Sequence, residues 1–397
     1  MSLTDTIVRV AARGEGISER GRHVALAAPG DAIAPDGSIV PGPHHRDPPC
    51  RHFPSCGGCQ LQHLDDASYA AFVADRVAGA LAAQGLETDI RPPLLSPPRT
   101  RRRATLHAER RGRQVLLGFA ETASHRLIDL DECHVLLPEL FALLAPLRGL
   151  LAAWLSDRRA DIHLTRVDQG IDVLIIGQAA NNLAAAEAIT GFARRHGLAR
   201  LSIDDGLGPE ARWEPDPVTI TLSGVPVPFP AGSFLQATAE GEAALIDAVR
   251  AATAGATLVA DLFSGLGTFA LALPGKVYAG EAARDAILSL KAGAARAGRQ
   301  LFAEHRDLFR RPLATAELDR FEAVVLDPPR AGAREQAEQL ARSKAPRIAY
   351  VSCNPSSFAR DAKTLCEGGY RLDWVQPVGQ FAWSTHVELA AAFSRQG

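Results

Sequence analysis

From Gln236 onward the chain predicts a doubly wound α/β fold, and three observations carry that prediction. Short apolar runs alternate with helical segments: Thr257–Asp261, Val277–Ala279, Leu301–Glu304, Ala323–Leu326 and Ile348–Val351. The first run ends in a glycine-rich turn, Asp261-Leu-Phe-Ser-Gly-Leu-Gly267. Two further runs, Leu372–Pro377 and Val387–Phe393, have no long helix between them and predict a terminal antiparallel hairpin. Seven strands result, the first five separated by helices.

The elements before this domain are shorter. Residues 1–48 show brief alternating runs, Thr6–Val10 and His23–Leu26, broken by Gly and Pro. They predict a small, incomplete β-module. Residues 49–230 form a central α+β domain. It opens with a cysteine knuckle at 50–59 and a helix over Asp65–Gln84, stopped by Gly85. Strands are expected at Val115–Phe119 and Asp172–Ile176, a buried helical stretch over Leu136–Leu155 and a helix over Leu183–His196. The proline-rich stretch Pro215–Pro230 marks the boundary to the last domain, 231–397.

The whole-chain balance excludes little. Apolar residues make up 47% and charged residues 22% of 397, with a net charge of −2, so bulk charge argues for no polyanionic partner. Charge is local: residues 91–113 hold eight Arg and one acidic residue, Glu109. Two readings stand there, a solvated arginine-rich face and a strip that contacts phosphates. Met1–Val10 lacks the apolar core of a secretory signal, and Leu136–Leu155 is interrupted by Glu139, Arg148 and two prolines. A cytoplasmic protein with no membrane span is expected.

In an open α/β sheet, ligands bind at the carboxyl ends of the strands. Gly265 and Gly267 let the backbone turn tightly beside such a ligand, and Glu281, 20 residues after Asp261, suits two ribose hydroxyls. The third glycine of a dinucleotide fingerprint is missing, since Gly267 is followed by Thr-Phe-Ala. A sulfonium cofactor has no phosphate and accepts carboxylates nearby. Asp327, opening Asp327-Pro-Pro-Arg330, fits that class, with a plain turn acid as the other reading.

Ala349-Tyr-Val-Ser-Cys-Asn-Pro355 delivers Cys353 to a turn, just outside an apolar run, and Glu388 sits among apolar residues near the last strand. A thiolate and a carboxylate beside a methyl donor suffice for methylation of uracil C5. The thiolate adds to C6, the enolate takes the methyl at C5, and a base removes the C5 proton so that the thiolate can leave. A core cysteine and a solvated carboxylate are the alternatives. Cys366, within a helical pattern, reads as core.

Taken together, Phe234-x-Gln236, the 261–267 turn, Asp327-Pro-Pro-Arg330, Ser352-Cys353-Asn354-Pro355 and His386-Val-Glu388 resemble, in order, the RNA 5-methyluridine methyltransferase family. The resemblance covers about residues 50–397. It implies a class I (Rossmann-like) seven-stranded methyltransferase domain. It also implies S-adenosylmethionine bound by Gln236, Phe263, Gly265, Gly267, Glu281, Asp307 and Asp327, with Cys353 as nucleophile and Glu388 as C5 base. Three departures stand out. Thr268 and Thr238 occupy positions where the family often has Asn, and Gln380–Thr385 lacks a usual Asp. An amino-group methyltransferase using Asp327-Pro-Pro, and an RNA-binding protein on an inactive scaffold, are the competing classes.

Cys50-x5-Cys56-Gly-Gly-Cys59 and the distant Cys133 form a three-plus-one set. Paired knuckles would suit zinc; this spacing favours a [4Fe–4S] cluster. The cluster-bearing family members share that spacing and a following Gln-His, here Gln62-His63. His63 and His134 are read as neighbours rather than ligands. That branch implies 23S ribosomal RNA as substrate, with tRNA as the alternative. Residues 1–45 resemble a shortened TRAM domain, an RNA-binding β-barrel. They carry four Arg and five acidic residues, so the arginines of 99–113 are expected to take more of the RNA phosphates. A monomer is expected.

Overall fold

The computed structural model describes residues 5–122, 124–155, 159–180 and 182–395. The ends of the first and last expected domains, 1–4 and 396–397, lie outside the described residues.

Seven strands of the C-terminal sheet are Leu258–Leu262, Lys276–Glu281, Leu301–His305, Ala323–Leu326, Arg347–Ser352, Tyr370–Gly379 and Glu388–Arg395. Counted along the chain, they lie in the order 3-2-1-4-5-7-6. The first five are parallel, and the seventh runs antiparallel to both neighbours. Ala323–Leu326 is buried at every residue, as a parallel strand covered on both faces must be. The order reverses between the first and fourth strands, and that reversal opens the crevice above their carboxyl ends.

Helices close both faces. One face buries Leu245 and Val249 of helix Ala239–Ala252 with Ile287 and Leu290 of helix Arg284–Arg296. The other buries Leu340, Phe358 and Leu365 of helices Arg334–Arg342 and Pro355–Glu367. Thr238 caps the first of these helices by accepting from the Gly241 amide at 3.0 Å. Thr and Asn are both good N-caps, so the departure at 238 preserves this cap.

Three segments differ from the sequence reading. No regular helix links the first two strands; 264–272 is a series of turns. Gly267 has φ +97°, and a Cβ there would meet Leu290 at 2.3 Å, so this turn packs too closely for a standard first helical turn. The proline-rich stretch is a hairpin, Thr219–Leu222 with Val225–Pro228. Its prolines alternate with Val225 and Val227, which point into the C-terminal core together with Ile220 and Leu222. Helix Asp66–Ala82, placed by sequence with the central domain, packs Tyr69, Phe72, Val73 and Val77 into the same core as Phe358. Asp89–Ile90 and Leu94–Leu95 then extend the sheet beside Tyr370–Gly379.

The central sheet has six strands, with Arg159–Val167 and Gly170–Ile176 at its middle. Helices Leu144–Trp154 and Leu183–Arg195 share a core with it, through Leu147, Leu151, Ile189 and Phe192. Residues 5–40 form five short strands around Ile7, Ala27 and Ile33. Among the described residues no helix is long and apolar enough to cross a membrane.

Candidate functional site

Strand pairing brings the predicted nucleophile and base together. Ser352 pairs with Leu389 in the antiparallel ladder, so the next position along each strand sets Cys353 against Glu388. Asn354 fixes the turn from below: its side chain accepts from the Ser356 amide, caps helix Pro355–Glu367 and donates to the Arg330 carbonyl at 3.0 Å. Asp327-Pro-Pro-Arg330 is thereby tied to the cysteine turn. Cys353 is half-buried and Glu388 is buried.

A third group joins them. One ligating atom each from Cys353, His386 and Glu388 lie within 4.8 Å of one another, and His386 Nε2 is 3.2 Å from Glu388 Oε1. Sequence reasoning quoted His386 only as part of a motif. The available signal was its spacing, since residues two apart on an extended chain share a face. Burial pushes the Cys353 thiol up to about 11, helped by the charges of Glu388 and Asp327 and opposed by Arg330. The carboxyl of Asp327 is held well above the usual carboxylate range, by burial first and then by Glu388, Asp261 and Glu281.

Phe263, Gly265, Gly267, Glu281, Asp307 and Asp327 follow or end the first four strands at the carboxyl edge. Glu281 accepts from the amides of Gly265 at 2.9 Å and Ala283 at 2.7 Å. Asp307 accepts from the amides of Phe309 and Arg310. Phe263 has φ +65°, a left-handed conformation costly for an aromatic residue, and its ring lies 5.3 Å from that of Phe309. Strain of this kind gathers at ligand sites. Gln236 is buried and accepts from Gln380 Nε2 at 2.8 Å, while Gln380 accepts from the Ala237 amide. Gln380 and Asp261 were not assigned by sequence. Asp261 is fully buried; neither of its oxygens makes a well-formed hydrogen bond, and burial pushes its carboxyl up to about 8, offset in part by the Ala270 amide. A cradle of carboxylates and aromatic rings without a phosphate-binding loop fits S-adenosylmethionine.

Cys50, Cys56, Cys59 and Cys133 line one cavity, walled by Phe53, Phe119, Leu130 and Leu136. Gly57 is required there: its amide donates to the Ala120 carbonyl at 2.9 Å, and a Cβ would lie 2.7 Å from that oxygen. Burial pushes Cys50 up to about 11 and Cys59 up to about 12, with further repulsion between the thiols. Four thiols lining one largely apolar cavity fit an iron–sulfur cluster.

Several arginines of 99–113 are tied into the fold, while Arg99, Arg111 and Arg113 are exposed. Arg102 pairs with Glu242 at 2.6 Å, both side chains largely buried. Arg103 lies over the exposed ring of Phe234 at 4.5 Å, and Arg110 donates to the carbonyls of Leu155 and Ala152. Arg101 lines the cysteine cavity and lies over Phe381 at 5.0 Å.

The family model described as tRNA (Uracil-5-)-methyltransferase matches residues 227–396. An uncharacterized RNA methyltransferase of Zymomonas mobilis is 51% identical over 98% of this chain and 99% of that protein. A 23S rRNA (uracil(1939)-C(5))-methyltransferase of Halomonas elongata is 33% identical over 86% of this chain and 75% of that protein. The crystal structure of a Pyrococcus abyssi tRNA (uracil-54, C5)-methyltransferase superimposes with a TM-score of 0.76, at 22% identity, over 98% of this chain and 100% of that one, which shows the shared fold. Matched almost end to end by one relative and over most of its length by another, this chain belongs to the RNA uracil-C5 methyltransferase family.

Proposed function

We propose that this enzyme transfers a methyl group from S-adenosylmethionine to C5 of a uridine in structured RNA, with 23S ribosomal RNA as its substrate. One observation carries the chemistry: Cys353, Glu388 and His386 converge within 4.8 Å at the strand ends beside Asp327. Cys353 Sγ attacks C6 of the uracil. Glu388 takes the C5 proton after methylation, and the Sγ–C6 bond then breaks. Bound S-adenosylmethionine supplies the methyl group as an electrophilic sulfonium carbon. Gln236, Phe263, Gly265, Gly267, Glu281, Asp307 and Asp327 hold it over the first four strands. Its S-adenosyl-L-homocysteine counterpart is bound in the Pyrococcus relative, which supports this choice.

The uridine must leave its stack to reach Cys353, at a cost of about a few kcal/mol that favours a loop. The Halomonas relative acts on 23S rRNA and is more similar over its aligned length than the Pyrococcus tRNA enzyme, which supports the ribosomal substrate. Cys50, Cys56, Cys59 and Cys133 hold a [4Fe–4S] cluster that fixes the knuckle and leaves the methylation chemistry to the other domain.

The test uses RNA containing 5-fluorouridine, whose C5 fluorine cannot leave as a proton. With the methyl donor present, the wild-type enzyme accumulates a covalent protein–RNA adduct resistant to denaturation. Absence of the adduct, or its survival in Cys353→Ala, defeats the nucleophile assignment. Mapping 5-methyluridine in RNA from cells lacking the protein identifies the substrate; loss from tRNA alone defeats the ribosomal reading.

A further inference from the structure

The chemistry above, on which this inference rests, leaves one proton without a holder. Cys353 enters each turnover as a thiol, because burial and the charges of Glu388 and Asp327 disfavour its thiolate. Attack on C6 requires the Sγ–H proton to leave. The C5 proton must also leave before the Sγ–C6 bond breaks. Two protons are therefore off sulfur and carbon at the same time, and the single carboxylate of Glu388 is needed for the second.

We propose that His386 takes the Cys353 thiol proton, leaving Glu388 free for the proton on C5. The placement carries this. A ring nitrogen of His386 lies within 4.8 Å of the Cys353 sulfur, and Nε2 is 3.2 Å from Glu388 Oε1. The His386 side chain keeps 25% of its exposure against 8% for Glu388, so the imidazole is the route to water. Phe381 meets the ring edge-on at 4.8 Å, and Ser384 Oγ accepts from the His386 amide. Asp327 and Arg330 face Cys353 from the turn after the fourth strand, and Arg103 faces Glu388 from the central sheet.

The steps balance. The Sγ–H proton passes to His386, giving an imidazolium, and the Sγ–C6 bond forms while the C5–C6 π pair moves to C5. That pair would bond the incoming methyl carbon as the carbon's bond to the donor sulfonium breaks, its pair staying on the donor sulfur as a neutral thioether. Glu388 takes the C5 proton, the C–H pair restores the C5–C6 double bond, and the Sγ–C6 pair returns to sulfur. Sulfur regains its proton from His386. Glu388 hands its own to the neutral imidazole and so to solvent, and one proton leaves per methyl transferred.

Fluorinated RNA separates the two proton transfers, because adduct formation needs the thiol proton removed and cannot involve a C5 proton. With methyl donor and holoenzyme, His386→Asn is expected to form the adduct at least about tenfold more slowly at pH 7. The gap narrows toward pH 9 as hydroxide replaces the missing acceptor. Glu388→Gln still forms the adduct. Added imidazole speeds adduct formation by His386→Ala, a rescue that a purely structural role does not give, and His386→Gln is a second variant should either fold poorly. A wild-type rate in His386→Asn at every pH, or no adduct in Glu388→Gln, overturns the proposal, the latter by assigning both protons to Glu388. Absence of adduct in the wild type, or its persistence in Cys353→Ala, instead defeats the underlying nucleophile reading.

Discussion

Two sites in this molecule are organised around thiols, and their surroundings set them apart. At the cleft, one half-buried cysteine faces a carboxylate, a histidine and the Asp327-Pro-Pro-Arg330 turn. At the knuckle, four cysteines face aromatic and aliphatic walls and one another. Burial raises both Cys353 and Cys59 far above the ordinary thiol value. The neighbours decide what each does with its proton. Cys353 has acceptors within reach and can become a transient nucleophile. The knuckle thiols repel one another as they ionise, and a bound cation removes that repulsion. On the proposed reading, the same residue type serves as a reactive group in one place and as a ligand set in the other.

The sharpest way to break this contrast is to remove one cysteine from each site. Cys353→Ala is expected to lower turnover by about 10⁴-fold or more, with the melting temperature nearly unchanged. Cys59→Ser is expected to do the reverse. Iron falls below the roughly four atoms per chain of a [4Fe–4S] site, and melting drops by about 5 °C or more. The knuckle is built into the fold, since the amides of Gln60 and Leu61 both donate to the Trp383 carbonyl in the loop before the last strand. Iron analysis with thermal melting reads both outcomes. A Cys59→Ser protein with full iron and unchanged melting would remove the knuckle from the ligand role.

Much of this was legible in the sequence, for local reasons. The seven strands were visible because each buried run is bounded by turn residues, and Cys353 stood out because Asn354-Pro355 closes its strand. The meeting of Cys353 with Glu388 depends on antiparallel register across 35 positions, which composition and periodicity do not encode. The partner of Arg102 was hidden for the same reason. Nothing near Arg102 in sequence announces Glu242, 140 positions away, yet that pairing takes Arg102 out of the solvent. The prolines of 215–230 read as a domain boundary, and the hairpin there was not foreseen, because proline breaks strands. At the edge of a two-stranded hairpin, prolines alternating with inward valines are tolerated.

The cleft also hides negative charge in a way the knuckle does not, and pH exposes that difference. The Asp261 carboxyl is pushed up to about 8 in the folded protein, mainly by burial, against 3.8 for a free one. Between those values the unfolded chain has lost this proton while the folded chain keeps it. Folding stability therefore falls as pH rises from about 4 to about 8, and this contribution is flat above that. Asp261→Asn removes the titration. Urea unfolding of the protein without methyl donor should show the variant gaining about 2–4 kcal/mol on wild type between pH 5 and pH 8. A constant difference across that range would mean that the Asp261 proton is already lost at pH 5.

Arg101 is where the two thiol sites touch, and it gives the smallest and most discriminating effect. Its guanidinium lines the cysteine cavity, lies over Phe119 at 5.8 Å and over Phe381 at 5.0 Å, and donates through Nε to the Arg103 carbonyl. Phe381 in turn meets the His386 ring edge-on. A planar cation between two rings transmits the position of one wall to the other, and lysine, a point charge on a flexible stem, does not. Arg101→Lys keeps the charge beside the thiols and loses the stacking, worth about 1 kcal/mol. If the sites are separate in function, iron content stays whole while kcat/KM falls about fivefold through a looser Phe381 and His386. Loss of iron in step with activity would instead make Arg101 part of the knuckle's own charge balance. The contrast between ligand thiols and nucleophile thiol would then be one of degree, set by a shared cation, rather than of separate surroundings.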